Sequence, residues 1–278
     1  MKTISGYFLF ISAAAGLCVI GGCAEKDAPK GDHIAVTSSY LESAVADLTG
    51  GQTEVFCIVP PGMCPGHFDL SPEQLRQLTG SRALVRFDFQ GGLDAKLKRA
   101  GTPVAAVKGL AGLCIPDTYV QTCRMVLAGL REQGCVLAED CEDSITQLEL
   151  RLEALADEIR QRVVAGGLAG VKVISSRHQR AFAEWLGLEV VAEIGSADAA
   201  TPGQIAECLQ RGRDHDVQIV IANLQEGTEL AGRIAGQLNG RVAVFSNFPD
   251  VSTGGAGGFE RLLRSNVDSL LAKTERVK

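Results

Sequence analysis

Short apolar runs rich in β-branched residues alternate along this chain with segments whose apolar positions recur every three or four residues. The first kind of run predicts strands over residues 33–37, 54–59, 83–87 and 104–107, and the second predicts helices over 40–48, 72–79 and 118–133. Pro72 falls just inside its helix, where its missing N–H has no intrahelical partner to lose. A longer segment, 144–164, then breaks the alternation. Ile145, Leu148, Leu152, Leu155, Ile159 and Val163 form one apolar stripe, opposite a polar face that includes Glu149, Arg151, Glu153, Arg160 and Arg162. A helix of that length reaches about 30 Å, enough to join two domains, and Gly166, Gly167 and Gly170 end it. The alternation resumes with strands over 171–175, 189–194, 218–222 and 241–245 and helices over 179–185, 202–214, 228–238 and 258–273. Strand–helix alternation of this kind predicts βαβ units and parallel sheets. The expected fold is α/β, with two βα lobes (33–143 and 167–278) joined by one long spanning helix (144–166).

The first 23 residues fit none of these elements. Lys2 supplies a small positive region, residues 7–20 are apolar and uncharged, and Gly21 and Gly22 precede Cys23. This is the layout of a secretory signal peptide, too short for a dependable membrane span. Ile20-Gly21-Gly22-Cys23 resembles the bacterial lipobox, which implies lipidation of Cys23 and anchoring of the exported protein on the periplasmic or outer face of a bacterial membrane. Residues 24–32, with Pro29 and Gly31, read as a flexible tether. The charge balance, 33 acidic residues against 27 basic ones with no basic block, argues against a nucleic-acid partner.

Export changes the meaning of the cysteines. Beyond Cys23 the chain has Cys57, Cys64, Cys114, Cys123, Cys135, Cys141 and Cys208. An odd number in an oxidising compartment implies some disulfides and at least one thiol left over. Cys135 and Cys141, flanking a short acidic turn, are the first choice for a bridge; the alternative is that all are buried and reduced. Cys57 and Cys208 sit at apolar positions and are expected in the core.

The strand at 54–59 runs into the loop PPGMCPGHFDLSP, residues 60–72, which carries Cys64 and His67. Open α/β sheets bind ligands beyond the carboxyl ends of their strands, so this loop is expected at the binding cleft. Asp69 is expected to brace it. GGAGG at 254–258 lacks the strand–GxxxxGK[ST]–helix context of a phosphate loop and reads as a connection. A redox or hydrolytic enzyme is disfavoured, since the chain has neither CxxC nor a nucleophile elbow.

Several local sequences together resemble the zinc/manganese-binding family of ABC-transporter solute-binding lipoproteins, over residues 33–273. They are Thr37-Ser38-Ser39-Tyr40, Gly50, Val59-Pro60-Pro61-Gly62 with Pro65, Ser71-Pro72, Ile115-Pro116, the AEWLGLEVV segment at 183–191, and Arg264-Ser265-Asn266-Val267. The resemblance implies a monomer that delivers a divalent ion, held between the lobes by His and carboxylate side chains, to an ABC permease and its ATPase. It implies no chemistry on the ligand.

The usual ligand positions are altered. Pro65 is followed by Gly66, with His67 one place late. The other positions fall on Ala111, Ser176, Asn223 and Ser246. One reading rebuilds a metal site, for zinc or a softer ion, from Cys64, His67, Cys114 and His178, because thiolate and imidazole favour zinc over manganese. The other has lost the metal. In that reading Arg86, Arg177 and His178, with Ser38, Ser39, Ser175 and Ser176, grip a small anion, and Asn223, Ser246 and Asn247 line the cleft. A lipoprotein on the same scaffold without a transport role is the third class.

Overall fold

The computed structural model describes residues 31–59, 70–94, 101–135, 137, 141–251 and 255–272. Cys23, Cys64 and His67 lie outside the described residues. The N-terminal lobe holds β1 (Ile34–Val36), β2 (Val55–Cys57), β3 (Leu84–Phe87) and β4 (Val104–Val107), all parallel in the order β2-β1-β3-β4. Its helices are α1 (Ser39–Leu48), α2 (Pro72–Gly80) and α3 (Pro116–Glu132). The spanning helix α4 (Cys141–Ala165) follows. The C-terminal lobe repeats the plan with β5 (Lys172–Ser176), β6 (Glu189–Ile194), β7 (Ile219–Asn223) and β8 (Arg241–Phe245), parallel in the order β6-β5-β7-β8. Helices α5 (Arg180–Trp185), α6 (Pro202–Asp214), α7 (Glu229–Gln237) and α8 (Gly258–Leu271) complete it.

Local chemistry sets the helix ends. Ser71 and Gln74 form a capping box ahead of α2, as Thr201 and Gln204 do ahead of α6, each with proline at the first helical position. α4 has 25 residues and so reaches about 37 Å. All six residues of the predicted apolar stripe are buried. Gly167 ends it in the left-handed region at φ 69°, where Leu168 N–H bonds back to Val163 O at 3.0 Å.

Strand alternation distributes the core. Ile34, Val36, Val85 and Phe87 face one way, while Ala35 and Leu84 face the layer that contains Leu78. In the second sheet Ile219 and Ile221 face one way, Val220 and Ala222 the other. The inward sets of both sheets and the α4 stripe belong to a single apolar cluster, so the lobes share one core.

The expected Cys135–Cys141 bridge is not formed. Both side chains are buried thiols in that core, just after α3 and at the start of α4. Among the described residues no helix is long and apolar enough to cross a membrane.

Candidate binding site at the lobe seam

The two lobes meet where the strand ends of the second sheet face the segment before α3. Cys114 lies there, fully buried, two residues before Pro116 opens α3. Its thiol donates to Ser246 O at 3.2 Å and lies 3.5 Å from Asn247 Oδ1. Asn266, on α8, reaches the same sulfur at 3.6 Å and binds Ser246 on both sides, donating to its carbonyl at 2.9 Å and accepting from its N–H at 2.9 Å. Burial pushes the Cys114 thiol well above its ordinary range, and the bond from Asn266 only partly opposes this. Cys114 is therefore an uncharged thiol bridging the lobes.

A second set of carboxamides continues the seam. Gln179, wholly buried in the turn after β5, donates from Nε2 to Asn223 Oδ1 at 3.0 Å and to Asn247 Oδ1 at 3.1 Å. Its own Oε1 is buried without a partner. Gln225 accepts from Asn247 N–H at 3.2 Å and donates to Ser246 Oγ at 2.9 Å. The strand ends of the C-terminal lobe carry neutral amides and hydroxyls bonded to one another, and Cys114 of the N-terminal lobe joins them at Ser246 and Asn247. Sequence reasoning missed Gln179, Gln225 and Glu226. Only proximity to the ends of β5 and β7 could have flagged them.

His178 stands apart from this network. It lies in the same turn as Gln179 but is exposed, with Nε2 3.5 Å from Glu226 Oε1. Ser176 Oγ donates to Glu226 Oε2 at 2.6 Å and accepts from His178 N–H at 3.3 Å, which fixes the carboxylate with its other oxygen toward the imidazole. His178, Glu226, Arg177 and Glu193 edge a cavity of ≈ 260 Å³ with an apolar floor that includes Ile194, Ile205 and Leu230. Glu193 is held by Arg180 and, at 3.6 Å, by Arg177.

The remaining expected residues are elsewhere. Ser38 caps α1 by accepting from Leu41 N–H at 3.4 Å, which occupies its hydroxyl locally. Arg86 is buried in a two-pronged pair with Asp94, Nε to Oδ1 at 2.8 Å and Nη2 to Oδ2 at 2.6 Å. Its Nη1 donates to Phe87 O at 2.9 Å, so the guanidinium is largely occupied within the N-terminal lobe. The structure thus brings together Cys114, Asn223, Ser246 and Asn247, and separately Ser176, Arg177 and His178. Among the described residues no three His, Cys, Asp or Glu side chains converge as a metal group.

Two parallel-sheet lobes on one continuous helix, with polar strand ends gathered at their seam, define the class of two-lobed solute-binding proteins. The chain belongs to the family described as zinc-uptake complex component A, periplasmic, whose model matches residues 115–273. That family comprises transport components and is not a family of enzymes. Among solved structures the chain resembles a zinc-bound ZnuA deletion mutant at 17% identity, with TM-score 0.68, covering 88% of this chain and 100% of that one. It also resembles the laminin-binding protein Lmb of Streptococcus agalactiae, a bifunctional protein with adhesin and metal-transporting activity, at 15% identity and TM-score 0.67, covering 87% of this chain and 98% of that one. A manganese-bound periplasmic metal-binding protein from Candidatus Liberibacter asiaticus matches at 11% identity and TM-score 0.65, covering 86% and 98%. No curated protein matches the chain in sequence.

Proposed function

We propose that this is an exported, Cys23-lipidated binding protein that captures a divalent metal ion, zinc by preference, and delivers it to an ABC permease with its ATPase. The observation that carries the metal assignment is the His178–Glu226 pair. Two ligands about 2.0–2.1 Å from a tetrahedral zinc ion lie about 3.3–3.4 Å apart. His178 Nε2 and Glu226 Oε1 are 3.5 Å apart, and Ser176 braces the carboxylate from behind. In this reading Cys64 and His67, which follow β2 in the sequence, supply the ligands of the N-terminal lobe. Cys114 serves as a lobe bridge, because its buried thiol resists the ionisation that metal binding requires.

Zinc titration of chelator-treated protein tests this directly. Binding below about 10 μM is expected, weakened about tenfold or more by His178→Ala and by Glu226→Gln. Absence of binding removes the metal assignment. The neutral seam of Gln179, Asn223 and Asn247 favours one competing reading, in which the site takes a small anionic or other solute through Arg177. Solute-dependent stabilisation without any zinc response would select it. Lack of any ligand response would leave a lipoprotein with no transport role.

A further inference from the structure

Away from the metal-site candidates, one face of α1 carries side-chain oxygens that the fold buries without hydrogen-bonding them. Ser39 Oγ, Glu42 Oε2 and Ser43 Oγ are all buried and unpartnered, and both serines are 1% exposed. Spacings of three and four residues put them on the same side of the helix. Glu42 and Ser43 open into a cavity of ≈ 100 Å³, lined also by Thr53 and Val55 at the start of β2 and by Val251 and Gly255 of the C-terminal lobe. Gly258 closes in on the Ser43 hydroxyl so tightly that a Cβ there would collide with it.

The charge at this seam is uncompensated. None of the ion pairs among the described residues involves Glu42. Burial raises its carboxyl, and the bond from the Cys57 thiol only partly offsets this. A buried carboxylate is costly unless paired, and each buried oxygen without a partner adds to that cost. A hard cation in the cavity would answer the deficits at Glu42 and Ser43 together. Such ions take carboxylate, hydroxyl and water oxygens, and a cavity of this size holds one ion with two or three waters. One carboxylate among otherwise neutral oxygens matches a single positive charge.

We propose that the cavity lined by α1, the start of β2, Val251 and Gly255 is a monovalent-cation site, with sodium as the charge-matched ion, bound by Glu42, Ser43 and Thr53. It would stabilise the contact between the lobes independently of any transported solute.

The test compares unfolding of the mature protein in 100 mM sodium chloride and in 100 mM choline chloride, at equal ionic strength and without added transition metal. For a site with a Kd of about 10 mM the melting temperature should fall by about 3–6 °C in choline. Glu42→Gln should abolish that difference. Ser43→Ala, which keeps the carboxylate, should reduce it, so the proposal remains testable if the first variant folds poorly. Excess line broadening of the sodium-23 resonance should be present with wild type and lost with Glu42→Gln. Equal melting in sodium and choline would overturn the site, leaving a water-filled cavity. So would a sodium effect that persists undiminished in both variants. Zinc binding need not change in any arm, which separates failure of this site from failure of the metal assignment.

Discussion

Phe259 is where the C-terminal lobe plugs into the N-terminal one, and its removal gives a quantitative test of the shared core. The ring is fully buried, stacked on Tyr119 with centroids 3.9 Å apart and 3° between planes, and edge-on to Tyr40 at 6.1 Å. Both tyrosines are fixed by their hydroxyls, Tyr119 donating to Asp47 at 2.6 Å and Tyr40 to Leu113 O at 2.9 Å. The site cannot easily collapse around a missing ring. A phenylalanine buries on the order of 200 Å², worth about 5 kcal/mol at 25 cal/mol per Å², and truncations of this kind cost about 3–5 kcal/mol. Taking about 4 kcal/mol, Phe259→Ala should lower the melting temperature by about 8–16 °C for a body of this size. Phe259→Leu should recover roughly half, since it restores apolar volume without aromatic geometry. Circular dichroism at 222 nm reads both. A fall of less than about 3 °C for the alanine variant would refute the reasoning, because the ring would then not be a buried link between lobes.

Asp47 couples the same region to pH. It accepts from Tyr119 and from Gly257 N–H at 2.7 Å, but burial is the dominant influence and holds its carboxyl above the ordinary aspartate value of 3.8. A raised folded-state value contributes stability that is complete in acid and lost as pH rises through that value. Urea unfolding across a pH series should therefore show the wild-type advantage over Asp47→Asn shrinking upward from about pH 4, and a growing advantage would contradict the sign. Arg86→Met should destabilise by about 2 kcal/mol, below the full buried-pair cost because Asp94 keeps 37% side-chain exposure. Arg86→Lys should recover only part of this, since a lysine lacks the two-pronged geometry, and a neutral result for Arg86→Met would return Arg86 to the candidate anion ligands.

Most element positions were legible from sequence because each depends on local chemistry. Apolar periodicity gave the α4 stripe residue for residue, and Pro72, Pro116 and Pro202 each stand at the first position of a helix. That Cys135 and Cys141 form no bridge was not legible, because closeness in sequence carries no information about which way two side chains face. In the fold both thiols point into the core.

The sequence by itself determined the α/β class, the two lobes and the spanning helix, all of which follow from residue type and spacing. The tertiary structure alone decided which strand-end residues meet. It joined Cys114 to Ser246, 132 residues away, and Gln179 to Asn247, 68 away. It paired His178 with Glu226 and committed Arg86 to Asp94. Parallel sheets join residues far apart in the chain through crossovers, so the partners of a strand-end side chain are set by topology. No local pattern encodes them.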